Sequence, residues 1–151
     1  MNTPLPPQRR SIAGAALACA AVDGTLRLQR CGDCGAVQYP PRERCGECLG
    51  DTLPVEPVAN GATVLAVTAL QHSLEPWFAA RLPWTVASLR LDAGPVAFAH
   101  GEASLAEPGA RVRVASVPGP GGAWCLVAFG AGNEDAGAAL DRTLNNLGLS
   151  T

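Results

Sequence analysis

The chain has no lysine; all 11 of its basic side chains are arginine. Lysine's absence argues against a diffuse cationic surface, and an all-arginine set suits fixed, forked contacts to carboxylate or phosphate. Genomic base composition gives the same bias and is the plainer reading. Charge of either sign is sparse, at 16% of residues with a formal net charge of −2. General nucleic-acid binding, which needs many phosphate-neutralising cations, is therefore disfavoured. Histidine occurs only twice. Neither His72 nor His100 lies in a recognisable metal or triad motif, so each reads as structural or solvated. No glycine loop precedes a helix with a lysine in phosphate-binding order, and Gly119 to Gly122 lies between strands. No catalytic set emerges.

Long apolar runs are also missing. Arg9-Arg10 followed by Ile12 to Val22 has the outline of a short signal peptide, and Leu17-Ala18-Cys19 that of a lipoprotein cleavage site. The run of about 11 residues falls short of the ~20 that span a bilayer. It is mostly alanine, and it leads almost directly into a cysteine-rich segment. We read it as an alanine-rich helix capped by Ser11, ended at Asp23-Gly24 and packed on the rest of the protein. No membrane association is expected.

Cysteine is what the sequence does hold. Of six cysteines, four form the pattern Cys31-x2-Cys34-x10-Cys45-x2-Cys48, while Cys19 and Cys125 stand apart in apolar surroundings. Each tight pair makes a knuckle aiming two sulfurs at one centre, and four thiolates in a tetrahedron make a closed structural site. Zinc is the expected ion, iron the alternative. Two disulfides are the minor reading. Gly35 and Gly46 follow cysteines where the knuckle backbone is expected to need unusual dihedrals. The segment between the pairs has no hydrophobic run, so the metal is expected to hold it. A metal–thiolate site implies a reducing compartment, hence the cytoplasm.

The chain divides into an N-terminal arm and helix (1–24), a zinc ribbon (25–54), a barrel (55–130) and a C-terminal helix or tail (131–151). Residues 1–8 are Pro-rich, and 49–58 read as a linker. Five β-like runs follow: Ala62–Leu70, Trp84–Asp92, Pro95–Glu102, Arg111–Val117 and Ala123–Phe129. Asp92-Ala93-Gly94-Pro95 is a tight hairpin turn and Pro118 to Gly122 a flexible one. Five antiparallel runs in so short a stretch suit a small closed barrel of the OB type. The fold class is thus mainly β: helix, four-cysteine ribbon, five-stranded OB barrel, short C-terminal helix. That last helix spans Asn133 to Gly148, with Asn133 as cap and Ala136, Leu140, Leu144 and Leu147 on one apolar face.

Several strings carry a resemblance. Gly24-x-Leu26-x-Leu28-Gln29-Arg30-Cys31-x2-Cys34-Gly35 and Tyr39-Pro40-Pro41-Arg42-x2-Cys45-x2-Cys48 stand in the ribbon. Gly61, Val64, Pro83-Trp84, Leu91-Asp92, Gly94-Pro95, Gly109 and Val112 stand in the barrel. Together they resemble the bacterial and archaeal family that joins a rubredoxin-like zinc ribbon to an acyl-CoA-associated OB-fold. The resemblance implies a non-catalytic accessory subunit. Its catalytic partner would be a thiolase-like enzyme, an acyl-CoA hydratase or a sterol aldolase, in lipid, steroid or polyketide metabolism.

Two features are candidates for contact with coenzyme A or with that partner. One is the set Arg27, Arg30, Arg42 and Arg44, interleaved with Asp33, Glu43 and Glu47 around the ribbon. The other is Trp77-Phe78 in the long connection from Gln71 to Pro83, an interface anchor or a cover over one barrel mouth. Two other functions remain in play. A single-stranded nucleic-acid binder would use the same modules, but the barrel region is charge-neutral. A rubredoxin-like electron carrier would hold iron in the same sulfurs.

Overall fold

The computed structural model describes residues 11–20, 24–105, 107–120, 124–130 and 132–149, with the side chains of 18–20 excepted. The Pro-rich 1–8, Arg9-Arg10, the Cys19 side chain, Asp23 and Gly121-Gly122 lie outside the described residues. Helix α1 spans Ile12–Ala20. Ser11 caps it, its hydroxyl accepting from the Gly14 N–H at 3.1 Å. The helix sets Ala13 and Leu17 inward and leaves Ile12 exposed.

Three short strands form the ribbon sheet in the order β2-β1-β3. They are β1 (Arg27–Arg30), β2 (Val37–Gln38) and β3 (Val55–Pro57). Both neighbours run antiparallel to β1, with Gln29 opposite Gln38 on one side and Leu28 opposite Glu56 on the other. Residues 49–58, expected as a linker, thus contribute the third strand. Val55 and Pro57 have the restricted, extended backbone that an edge strand tolerates, and β1 offers them a free side.

Five strands close the barrel in the order β4-β5-β6-β8-β7. They are β4 (Gly61–Leu70), β5 (Trp84–Leu91), β6 (Val96–Gly101), β7 (Arg111–Pro118) and β8 (Trp124–Gly130). Pairs are antiparallel except β6 with β8, joined in parallel where His100 meets Val127. This is the OB topology, and the five runs read from the sequence match it to within one or two residues. A bulge in β4 between Val64 and Ala66 lets one strand bend from β7 onto β5. Gly94, at φ +123°, makes the β5–β6 turn, where the Leu91 N–H donates to the Pro95 carbonyl at 3.0 Å.

The interior is lined by small and branched residues: Ala62, Val64, Ala87, Leu89, Leu91, Ala97, Ala99, Val112, Val114, Leu126 and Ala128. Alanine at Ala87, Ala97 and Ala99 leaves room that other elements fill. Leu17 of α1 and Leu26 and Leu28 of the ribbon belong to the same buried cluster, with Val37, Tyr39 and Val55 packed against it. The ribbon therefore shares the barrel's core. Each such leucine contributes on the order of 2 kcal/mol of burial.

A second apolar cluster lies outside the barrel wall. Ala115 and Val117 of β7 and Val127 and Phe129 of β8 point outward against Trp77, Trp84, Ala139 and Leu149. Strands buried on both faces read as continuous apolar runs, as Trp124–Phe129 does. The cover is α2 (Pro76–Ala79) and α3 (Ala136–Leu147). α3 is capped not by Asn133, as expected, but by Asp135, whose carboxylate accepts from the Ala138 N–H at 3.1 Å. The helix starts two residues later than its first polar signal because Asp135 stands three before that N–H. Its inward face carries Ala139 and Thr143, flanked by Leu140, Leu144 and Leu147, while Ala136 is exposed.

Candidate metal centre

β1 delivers Cys31 at its end, and the turn after it returns the chain through Cys34. The Gly35 N–H donates to the Cys31 carbonyl and the Cys31 N–H to the Ala36 carbonyl, both at 2.9 Å. The second knuckle repeats the pattern: Leu49 N–H to Cys45 carbonyl at 3.0 Å, Cys45 N–H to Gly50 carbonyl at 2.8 Å. In this register Leu49 takes the place of Gly35. Both have positive φ, +77° at Gly35 and +62° at Leu49. Gly46, expected to need such dihedrals, has none. A Cβ there would lie 3.1 Å from Arg42 Nη1 and 3.5 Å from Gln38 Oε1, so the Arg42 guanidinium would have to shift slightly to admit a larger residue.

All four sulfurs lie within 4.8 Å of one another. The closest pairs cross between knuckles, Cys31 to Cys48 at 3.5 Å and Cys34 to Cys45 at 3.6 Å. A tetrahedron of sulfurs about 2.3 Å from a central ion has edges of about 3.8 Å. A disulfide needs about 2.05 Å. The sulfurs thus fit one four-coordinate ion and form no disulfide. Cys31 and Cys45 are buried; Cys34 and Cys48 face outward.

The electrostatics ask for a cation. The backbone N–H groups of Cys48 and Glu47 hold the Cys45 thiol down to about 7. At Cys48 the Gly50 N–H pulls the same way, but the neighbouring thiols of Cys31 and Cys34 push it up to about 12. Four thiolates cannot ionise together in this space unless a positive ion screens them.

Two glutamines brace the site. The Gln29 side chain accepts from the Arg42 N–H at 2.7 Å and donates to the Arg42 carbonyl at 2.9 Å. Gln38 accepts from the Gly46 N–H at 2.6 Å. Both are buried. Sequence reading passed over them, although glutamine in the strands entering and leaving a knuckle was the available signal.

The four candidate arginines do not act as one patch. Arg30 faces Glu56 at 3.5 Å and donates to the Gly35 carbonyl at 3.3 Å. Arg44 faces Asp51 at 3.4 Å. Arg27 donates to the Thr25 hydroxyl at 3.2 Å. Arg42 has no ion pair among the described residues. Arg30 and Arg42 share a cleft of about 560 Å³ with Tyr39, Glu47 and the Ala93–Pro95 hairpin, between ribbon and barrel.

Trp77 and Phe78 do not line this cleft and belong to the second apolar cluster. Trp77 is 6% exposed, held edge-on by Trp84 at 5.6 Å and under the Arg81 guanidinium at 4.0 Å. In the isolated chain it covers the barrel wall, with Phe78 partly buried beside it. His100 belongs to the same group: Trp84 Nε1–H donates to His100 Nδ1 at 2.9 Å, and Phe78 stacks on the imidazole at 6.0 Å. Burial lowers the His100 pKa from its ordinary 6.5. An imidazole that accepts at Nδ1 is neutral, and His100 is bonded into this aromatic cluster.

Residues 20–54 match the family model described as the ChsH2 rubredoxin-like zinc ribbon domain. Among solved structures, the chain is similar to one described as "Ltp2-ChsH2(DUF35) aldolase", with 22% sequence identity and a TM-score of 0.66. The match covers 81% of this chain and 97% of that one. No curated protein matches in sequence. The resemblance read from the cysteine and barrel strings is thereby found again, in the ribbon by sequence and in the whole architecture by shape. Among the described residues no helix is long and apolar enough to cross a membrane.

Proposed function

We propose that the chain is a non-catalytic accessory subunit whose zinc-bound ribbon, locked to an OB barrel, docks a catalytic enzyme of acyl-CoA metabolism. Three facts support the reading. The neighbour's printed name joins Ltp2 and ChsH2 in one aldolase. The ribbon shares the barrel's core, because Leu26 and Leu28 are buried in the same cluster. Arg42, which has no ion pair among the described residues, brings its guanidinium to the ribbon–barrel cleft. That last observation carries the most weight for ligand chemistry: an unpaired, forked cation fits a phosphate of coenzyme A or a carboxylate of the partner. Zinc is the resident ion in this reading, held by Cys31, Cys34, Cys45 and Cys48 and structural in role.

The test is coexpression with a thiolase-like, hydratase or aldolase gene product encoded beside this chain. Copurification at fixed stoichiometry is the expected result. Arg42→Ala, with Arg44→Ala as a control for a self-paired arginine, should weaken assembly or acyl-CoA binding only for the first. Failure of either chain to copurify with the other overturns the proposal.

A further inference from the structure

The barrel closes unevenly. β7 meets only the start of β4, from Gly61 opposite Arg113 to Thr63 opposite Arg111. Val64 adds two bonds to the turn before β7, donating to the Ala110 carbonyl at 2.9 Å and accepting from the Gly109 N–H at 2.8 Å. β4 then continues from Leu65 to Leu70 paired with β5 alone.

Hydrogen-bond alternation says which backbone groups face outward. The Asp92 N–H donates to the Gly61 carbonyl, whereas the Leu91 N–H donates to the Pro95 carbonyl across the β6 hairpin. Even-numbered residues of β5 therefore bond β4, and odd-numbered ones bond β6. Trp84, Val86 and Ser88 take up their register partners Leu70, Thr68 and Ala66. Val67 and Ala69 turn their N–H and C=O groups away from the barrel. The Gln71 side chain confirms the direction, donating to the Ala69 carbonyl at 3.3 Å from outside. The Val67 N–H and C=O and the Ala69 N–H have no partner among the described residues.

The strand carrying this edge is Leu65-Ala66-Val67-Thr68-Ala69-Leu70. It has no charge and no proline, and all of it but Val67 is exposed. Sheet edges are ordinarily blunted by lysine, proline or an inward charge, because a bare edge templates another strand. Its outer face continues uncharged across the sheet, from Ala66 through Ser88 to Phe98, which is 66% exposed.

We propose that this edge pairs antiparallel with the same edge of a second copy, about a two-fold axis through Thr68. Val67 of one copy then faces Ala69 of the other in reciprocal hydrogen bonds. Thr68 stands opposite Thr68 in the closer, non-hydrogen-bonded position, a favourable cross-strand pair. Ala66 faces Leu70. A second copy fits better than a foreign strand because the edge is compatible with itself: self-pairing opposes no like charges, and closing the two-fold consumes the bare edge of both copies. The surface is separate from the ribbon cleft, so it stands whether or not the accessory-subunit reading does.

Sedimentation equilibrium of the metal-loaded full chain tests it. The expected mass is twice the 15.4 kDa of one chain. Thr68→Arg sets two guanidinium groups face to face on the axis and should weaken self-association roughly ten-fold. Thr68 is exposed, so the variant keeps the fold, checked by circular dichroism and metal content. Thr68→Cys should form an intermolecular disulfide under mild oxidation, and Thr63→Cys, beside β7, should not. A single-chain mass up to the solubility limit, a dimer that Thr68→Arg leaves intact, or no cross-link at Thr68→Cys overturns the proposal.

Discussion

The two ends of the ribbon are held by different physics. At the far end, the knuckles around Cys31–Cys34 and Cys45–Cys48 converge their sulfurs within 4.8 Å, with Cys34 and Cys48 exposed. At the near end, Leu26 and Leu28 are at most 1% exposed and sit in the barrel's own cluster. Four converging thiols that could hold a metal ion mark one end, solvent exclusion organises the other, and strand β1 runs between them. Removing the metal should therefore melt only part of the module.

The largest expected effect follows directly. Structural zinc in small modules contributes on the order of 10 kcal/mol of apparent folding free energy. Cys31→Ser, or chelation of the wild-type ion, should abolish metal binding and unfold residues 31–50 while β4 to β8 persist. Hydrogen exchange resolves the two regions. Loss of protection in the knuckles with the barrel amides unchanged is expected; simultaneous loss in both would show that the regions are one cooperative unit. Leu28→Ala breaks the comparison from the other side. A fully buried leucine truncated to alanine costs about 2–5 kcal/mol. Because Leu28 belongs to the barrel cluster, the loss should appear in global thermal unfolding, with metal stoichiometry unchanged.

How much of this was legible in the sequence differs between the same two regions. The cysteine spacing picked out the four sulfurs that the fold brings within 4.8 Å of one another, since ligand chemistry tolerates few residue types. The five barrel runs were legible from their Val, Leu, Ala and Thr content and the turn residues between them. The union of ribbon and barrel was not. Leu28 sits in a short polar strand with Leu26 just before it, and nothing local says that they enter a distant core. The third ribbon strand, Val55–Pro57, was missed because three residues with two prolines nearby carry no period. Trp77 shows another limit: a large aromatic in a long connection suits an interior and an interface equally well, and only the packing of β7, β8 and α3 around it assigns the isolated chain's choice.

His100 offers a smaller effect, confined to the barrel side. Its pKa is lowered in the folded state by burial, so below the ordinary 6.5 the unfolded chain binds a proton that the folded chain resists. Stability is unaffected above that value and falls as pH drops below it. One pH unit below, the loss is bounded by about 1.4 kcal/mol. Urea unfolding at neutral and at mildly acidic pH measures it. His100→Gln, which keeps an acceptor for the Trp84 N–H but cannot titrate, should flatten the dependence in that window. The carboxylates of Asp92 and Glu134, lowered by Arg111 and Arg142 respectively, respond only at more acidic pH.

The smallest prediction separates the two knuckles from each other. Gly35 and Leu49 occupy equivalent places after the second cysteine of each pair, and both need a left-handed backbone. For a residue with a Cβ this costs roughly 1–2 kcal/mol, which glycine avoids. Leu49 is 71% exposed, so its side chain returns little in packing. Leu49→Gly relieves that strain, offset in part by the greater entropy of glycine in the unfolded chain, and should stabilise the second knuckle by up to about 1 kcal/mol. Gly35→Ala, which meets open space but the wrong dihedral, should destabilise the first by a similar amount. Competition for the ion with a chelator reads both, because a knuckle that is easier to form holds its metal longer. Opposite shifts are expected. If Leu49→Gly instead releases the ion more readily, the exposed leucine makes a contact that outweighs its strained backbone, and a face of the second knuckle would then be marked as part of a docking surface.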